Sequence, residues 1–311
     1  MAMSKGQHAL AKRNVIDSRD RFGAGIAFAL TGMFGVSVMD ALAKLLGEGY
    51  AVSQIILARN AIGVVAVLAF VILARRGFGG LRIQKIPLLL LRIVFGLAAA
   101  FFFFTGLRYL PLADAFAIAF TAPLLITALS VPLLGEKVGF RRWAAVVIGF
   151  IGVVIVVQPG TSSFQIEALL PLGAAFSYAL TMIVSRRMTQ DMTTSAIVFW
   201  SSLGAALLMS TLMPSQWRTP GLDDALLFLF MGLIGTLGMA LITQAYRFAE
   251  ASVIAPFDYS TLLWATLLGW LIWEDLPSPN VWLGASLLIA SGLYILHRET
   301  RQRQPNGNPA P

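Results

Sequence analysis

Four charged side chains, Asp40, Arg59, Arg92 and Asp258, lie inside long apolar stretches of this sequence. A charge at the centre of such a stretch costs about 2.5–3.5 kcal/mol on insertion scales and normally faces protein or water, not lipid. Each is therefore a candidate to pair, bind or gate. Asp40 and Arg59 fall at similar depth on consecutive stretches and are expected to form a salt bridge. Its bland use is to lock a helical hairpin; gating or solute contact is the alternative. Arg92 and Asp258 also share a depth, one in each half of the chain. A contact between them would form an inner gate that breaks as the halves move, whereas snorkelling of Arg92 to the surface is the competing reading. Pro256-Phe257-Asp258-Tyr259 puts a carboxylate and a phenol beside a residue that lacks a backbone donor and clashes with the preceding turn. Pro123 marks a second such break. Freed carbonyls at membrane depth suit cavity walls, although a packing kink filled by neighbours explains either proline equally well.

Aromatic and amide groups extend the candidate set. Trp264 and Tyr259 are placed to stack on a planar solute, and Phe104, Phe120 and Tyr178 could line the same space. Four consecutive residues, Phe101 to Phe104, cover all sides of a helix, so at most two of them face any cavity. Gln244 and Thr243, with Ser177 and Thr181, offer hydrogen bonds to a solute or to neighbouring helices. Gly232, Gly235 and Gly238 allow close helix contact. The inventory for catalysis is poor. There is no cysteine, and both histidines, His8 and His297, lie in polar tails. No catalytic residues, metal ligands or cofactor site are expected, and no GxxxxGK[ST] phosphate loop occurs.

The elements that must position these residues are membrane helices. Apolar residues make up 58% of the 311 and charged ones only 12%, with a mean hydropathy of +0.78. Soluble domains carry about 25% charged residues, so too little polar surface remains for a water-facing globule. Apolar windows of the roughly 20 residues needed to cross a bilayer recur along the chain. They place ten spans at about 23–45, 51–74, 86–107, 111–134, 143–158, 167–185, 194–213, 224–246, 252–273 and 280–297. Ala41-Leu42-Ala43 resembles a signal cleavage site, but the first run is too long for a signal core. Loop charges orient the spans. With the N-terminus in the cytoplasm, eighteen Lys and Arg fall inside and only Lys44, Arg108 and Arg218 fall outside. The net charge of +8 follows from that bias and needs no nucleic-acid partner.

Laying residues 107–137 over 245–275, a displacement of 138, matches Ala113 with Ala251, Ala117 with Ala255 and Glu136 with Glu274. Five spans per half is an odd number, so the second half enters the membrane inverted. The loop after the fourth span is accordingly basic (Lys137, Arg141, Arg142), while its counterpart after the ninth is acidic (Glu274, Asp275). Inverted repeats recur in secondary carriers, with the site near midplane between the halves.

The runs Gly106-Leu-Arg-Tyr-Leu-Pro-Leu-Ala-Asp-Ala and Gln244-Ala-Tyr-Arg-Phe-Ala-Glu-Ala-Ser, leading to Thr121-Ala-Pro and Ala255-Pro-Phe-Asp-Tyr, resemble the EamA domains of the drug/metabolite transporter superfamily. Asp40-Ala-Leu-Ala-Lys44 and the stretch from Gln54 to Arg59 fit the same pattern. The resemblance implies an all-α integral membrane protein of ten helices in two inverted five-helix repeats, in a bacterial inner membrane, without ATPase activity. It implies a carrier of small metabolites such as riboflavin, S-adenosylmethionine or amino acids.

The expected organisation is a basic cytoplasmic tail (1–21), a first repeat (22–158), a second repeat (166–298) and a disordered cytoplasmic tail (299–311). Expected partners are a small-molecule solute and the lipid bilayer, with the protein a monomer or homodimer. Proton coupling through Asp40 or Asp258 and facilitated diffusion are equally compatible with the residues. A receptor or assembly subunit is the alternative class, disfavoured by the short loops. Cysteines at positions 92 and 258 test the inner gate, which requires their crosslinking yield to change when solute is added.

Overall fold

In hydrocarbon no water is present to satisfy backbone N–H and C=O groups, so each apolar run must close its own hydrogen bonds as a helix. The computed structural model describes residues 3–73, 82–136, 138–162, 164–188, 192–248 and 254–303, which are almost entirely helical. The first half contains α1 (Met3–Gly47), α2 (Val52–Leu73), α3 (Ile86–Leu107), α4 (Leu112–Ala119), α5 (Ala122–Leu134) and α6 (Phe140–Val157). The second half contains a 3-10 turn (Ile166–Ala168) leading into α7 (Leu169–Met188), then α8 (Thr194–Ser210), the short α9 (Met213–Gln216) and α10 (Leu222–Phe248). A 3-10 turn (Ala255–Tyr259) then runs into α11 (Ser260–Trp273), and α12 (Pro279–Arg303) ends the bundle.

Among the described residues, eight stretches are long and apolar enough to cross a membrane, the fourth of them being the combined Leu112–Leu134. The expected seventh and ninth spans are shorter. Helix α8 has 17 residues, and the ninth, whose residues 252 and 253 lie outside the described ones, runs through a five-residue 3-10 turn into the 14-residue α11. Helix α1 begins at Met3 and carries the basic N-terminal segment into the first span without a break. At the other end α12 continues through Arg303, so residues 299–303 are helical, and 304–311 lie outside the described residues.

Helix packing repeats the internal symmetry of the sequence. Helix α1 lies along α10, and its counterpart α7 lies along α3. Helix α2 packs on α8 and α6 on α12, each helix meeting its own equivalent, and α4 packs on α11, the equivalent of α5. Contacts of α5 and α4 with α7 are matched by those of α11 and its 3-10 turn with α1. Exchanging the first five spans for the second five maps this pattern onto itself, as a pseudo-twofold axis between the halves requires.

Lipid supplies little hydrophobic drive for helix association, so close approach of small residues has to supply it. The α6–α12 crossing shows how close. A Cβ built on Gly152 would stand 2.7 Å from the Gly284 carbonyl oxygen, and one on Gly284 would stand 2.5 Å from the Gly152 oxygen. Helix α10 uses Gly238 against Gly32 of α1, Gly235 against Met39 and Gly232 against Ile62 of α2, the packing role expected of these three glycines. Large apolar side chains such as Val65, Leu207 and Leu271 point outward at more than 60% exposure, which suits a surface bathed in hydrocarbon.

Leucine at position 152 or 284 is expected to force the two backbones apart, a cost of about 1–3 kcal/mol by analogy with overpacked cores. Heating detergent-solubilised protein and measuring the monodisperse fraction checks this. Gly23→Ala, where nothing lies within 4 Å, should survive heating as well as the parent.

Candidate functional site

The α4–α5 and 3-10–α11 breaks are equivalent and face each other. Helix α4 ends at Ala119, Phe120 and Thr121 form a turn, and α5 restarts at Ala122. Adding the 138-residue displacement to these positions gives the junction at Asp258 and Tyr259, with α11 starting at Ser260. Pro123 and Pro256 were expected to mark helix breaks. Pro123 lies in the first turn of α5, just after the Phe120–Thr121 turn, and Pro256 lies in the first turn of the 3-10 segment that leads to the Asp258–Tyr259 junction, positions where a missing N–H is cheap. A threonine caps each junction internally. The buried Thr121 hydroxyl donates to the Ile118 carbonyl at 2.6 Å, and the Thr261 hydroxyl donates to the Asp258 carbonyl at 2.7 Å.

Across the seam, the Phe120 ring meets Tyr259 edge-on, with centroids 5.0 Å apart. The Tyr259 hydroxyl is driven against Gly292 of α12, where any Cβ would overlap it. One turn along α11, Trp264 packs edge-on against Phe34 of α1 at 5.1 Å. Buried polar atoms without a protein hydrogen-bond partner gather on these elements: Asp258 Oδ1, Ser260 Oγ and Trp264 Nε1, with Ser37 Oγ one turn from Phe34. Leaving such an atom unsatisfied costs about 1–3 kcal/mol. A helix bundle that gathers several of them at the 3-10–α11 break offers them to a polar solute or to water.

Arg92 extends this group. Its Nη1 donates to Ser185 Oγ at 2.5 Å, its Nε has no partner, and it makes no ion pair with Asp258 among the described residues. The guanidinium is taken up by Ser185 of α7, and the expected direct Arg92–Asp258 contact is not formed in this conformation. Tyr178 of α7 feels the charges of both Arg92 and Asp258. Tyr246 of α10 lies within reach of Asp258 and Tyr178.

Asp40 and Arg59 form a separate group. Asp40 is only 5% exposed and feels the charge of Arg59, yet no nitrogen–oxygen approach within 4 Å joins them. The expected salt bridge is replaced by stacking of the Arg59 guanidinium over the Phe104 ring, 5.6 Å from its centroid. Phe104 thus belongs to the packed core and not to the break region. Gln244 is exposed near the end of α10, where its Oε1 accepts from Arg247 at 3.3 Å. The Thr243 and Thr181 hydroxyls bond carbonyls of their own helices. Ser37, Ser185, Ser260 and Tyr246 were not singled out from the sequence. Only Tyr246 carried a signal, as part of the Gln244-Ala-Tyr run. No group of three His, Cys, Asp or Glu is placed to hold a metal among the described residues.

A two-repeat helical bundle with paired helix breaks, one of them lined by unpartnered polar groups, defines the class: a multi-span membrane transporter, not an enzyme. The EamA-like transporter family matches twice, over residues 23–158 and 165–297, and the chain belongs to that family. It is 30% identical to a riboflavin transporter of Vibrio cholerae over 290 residues, covering 91% of this chain and 96% of that protein. It is 26% identical to an S-adenosylmethionine uptake transporter of Rickettsia bellii, over 92% of this chain and 97% of the relative. It is 28% identical to a pseudopaline exporter of Pseudomonas aeruginosa, over 89% and 95%. One solved crystal structure superposes with a TM-score of 0.61 at 22% identity, over 91% of this chain and 99% of the other, which shows a shared fold.

Alanine at Gly292 is expected to collide with the Tyr259 hydroxyl and lower the melting temperature by several degrees, while Tyr259→Phe in the same chain should restore most of the loss. Thermal melts of the two single variants and the double variant measure this coupling. Additive shifts would mean that the contact is not formed.

Proposed function

We propose that this chain is a secondary carrier that moves a small organic solute with a planar aromatic or heteroaromatic part by alternating access. In this reading ten segments cross a bacterial inner membrane, the two halves are inverted, and both termini are cytoplasmic. The short α8 and the divided 3-10–α11 segment supply the seventh and ninth crossings. The observation that carries the reading is the meeting of the two breaks, Phe120 against Tyr259 at 5.0 Å, beside the unpartnered Asp258, Ser260 and Trp264 atoms. Trp264, Tyr259 and Phe120 present ring surface, and Tyr178 and Tyr246 add phenols within reach of Asp258. Phe104 and Gln244 are left with packing and surface roles.

Riboflavin is the leading solute, supported by the ring-rich seam and by the named function of the Vibrio cholerae relative. S-adenosylmethionine or an amino acid is the second reading. It is favoured by the opposite charges of Arg92 and Asp258, both felt by Tyr178, which suit the carboxylate and ammonium of a zwitterion. Asp258 is also the group proposed to carry a proton if transport is coupled.

Uptake into and release from proteoliposomes, with riboflavin, aromatic amino acids and S-adenosylmethionine as the panel, tests the proposal. Riboflavin should move, and Trp264→Ala should slow it by about tenfold, the worth of a good aromatic contact. Movement of S-adenosylmethionine alone selects the second reading. If folded protein moves no member of the panel in either direction, a receptor or assembly role replaces the carrier.

A further inference from the structure

Two ion pairs at opposite ends of the bundle obey the same pseudo-twofold relation as the helices. Lys44, in the last turn of α1, lies 3.6 Å from Asp275, just beyond α11. Arg186, in the last turn of α7, lies 3.3 Å from Glu136, just beyond α5. Lys44 and Arg186 each stand 21 residues after the first residue, 23 or 165, of their family-matched segments. The acids are equivalent in backbone geometry. Each follows a residue in the left-handed region, Gly135 at φ 70° or Glu274 at φ 59°. Each closes the same cap by bonding the carbonyl six positions back, with Glu136 N–H donating to the Ser130 carbonyl at 3.3 Å and Asp275 N–H donating to the Gly269 carbonyl at 3.2 Å.

In both pairs, then, a base ending the first helix of one repeat meets an acid that follows the fourth helix of the other repeat. The span Leu112–Leu134 separates them. Lys44 Nζ donates to the Leu110 carbonyl at 3.0 Å, just before its first residue, and Arg187 donates to the Leu133 carbonyl near its last. A 23-residue span covers roughly 30–35 Å, the thickness of the hydrocarbon core.

The two ends are held unequally. The Lys44 side chain is 11% exposed and the Arg186 side chain 44%. Lys44 also stands 4.6 Å over the Trp273 ring, whose Nε1 donates to Glu48 at 3.4 Å. More ties between the repeats surround it. Gln54 and Arg218 exchange two hydrogen bonds, at 2.8 and 3.1 Å, and Tyr50 donates to Asp224 at 2.5 Å. An exposed pair of the Arg186–Glu136 type is worth only about 0–1 kcal/mol, weak enough to part and re-form in each cycle.

We infer that Lys44–Asp275 and Arg186–Glu136 are symmetry-related latches that close opposite faces of the carrier, parting in alternation as the halves rock. This rests on the carrier reading for its purpose, but not for its test. In this structure the Lys44 end is the more firmly latched. The direct Arg92–Asp258 contact expected from depth is not needed as a gate, since the inner latch lies at the helix ends.

The chain has no cysteine, so Ser260→Cys supplies a single reporter at the seam. In sealed vesicles of known orientation, a membrane-impermeant maleimide is added to one face or the other. Lys44→Glu, which sets like charges together, should raise labelling from one face about fivefold, and Arg186→Glu should do so from the opposite face. The charge-swapped chains Lys44→Glu/Asp275→Lys and Arg186→Glu/Glu136→Lys should return labelling to the parent level, which also separates latch loss from misfolding. Labelling that rises from the same face in both single variants, that does not respond, or that the swaps fail to restore would overturn the latch pair. No transported solute enters this assay. Reciprocal labelling with no movement of any panel solute would sink the carrier reading alone.

Discussion

The constraint on which this structure depends is that backbone polar groups in hydrocarbon must be satisfied within the protein. It makes every apolar run a helix, and it makes the interruptions at Phe120–Thr121 and Ala255–Tyr259 the places where the chain departs from the rule. Such interruptions are tolerable only when covered by protein or opened to water. Here they are turned toward each other, with Phe120 on Tyr259, and their junction hydroxyls bond carbonyls a turn back. The unpartnered atoms of Asp258, Ser260 and Trp264 then lie where irregular backbone already has to be sheltered.

The remaining helices serve that seam. Gly152 against Gly284 and Gly32 against Gly238 bring backbones together in a solvent that gives helices little other reason to associate. These contacts fall on α6–α12 and α1–α10. The first joins a helix to its own symmetry mate. The second ties the opening helix of one repeat to the third span of the other, as α7 is tied to α3. Repetition of these pairings lets two halves of unlike sequence share one scaffold.

Charge was legible in the sequence, but only in part. Asp258 drew attention because a carboxylate at membrane depth is expensive, and it does lie at the seam. Equal depth was a poor guide to partnership. Arg59 lies at the depth of Asp40 but stacks on Phe104, and Arg92 bonds Ser185 instead of Asp258. Hydroxyls and phenols such as Ser37, Ser185 and Tyr246 give no such alarm, since an apolar helix carries them at little cost.

The sequence by itself determined the membrane class, the two repeats and the positions at which helices had to break. Hydropathy, proline and glycine act locally along the chain, and the repeat is visible by comparing the chain with itself. The tertiary structure alone decided which breaks face each other, which charges meet, and that Lys44–Asp275 and Arg186–Glu136 are equivalents. Sequence patterns report depth along the membrane normal. Contacts depend also on the rotation of each helix about its axis and on its neighbours, and those are fixed only when all the helices pack at once.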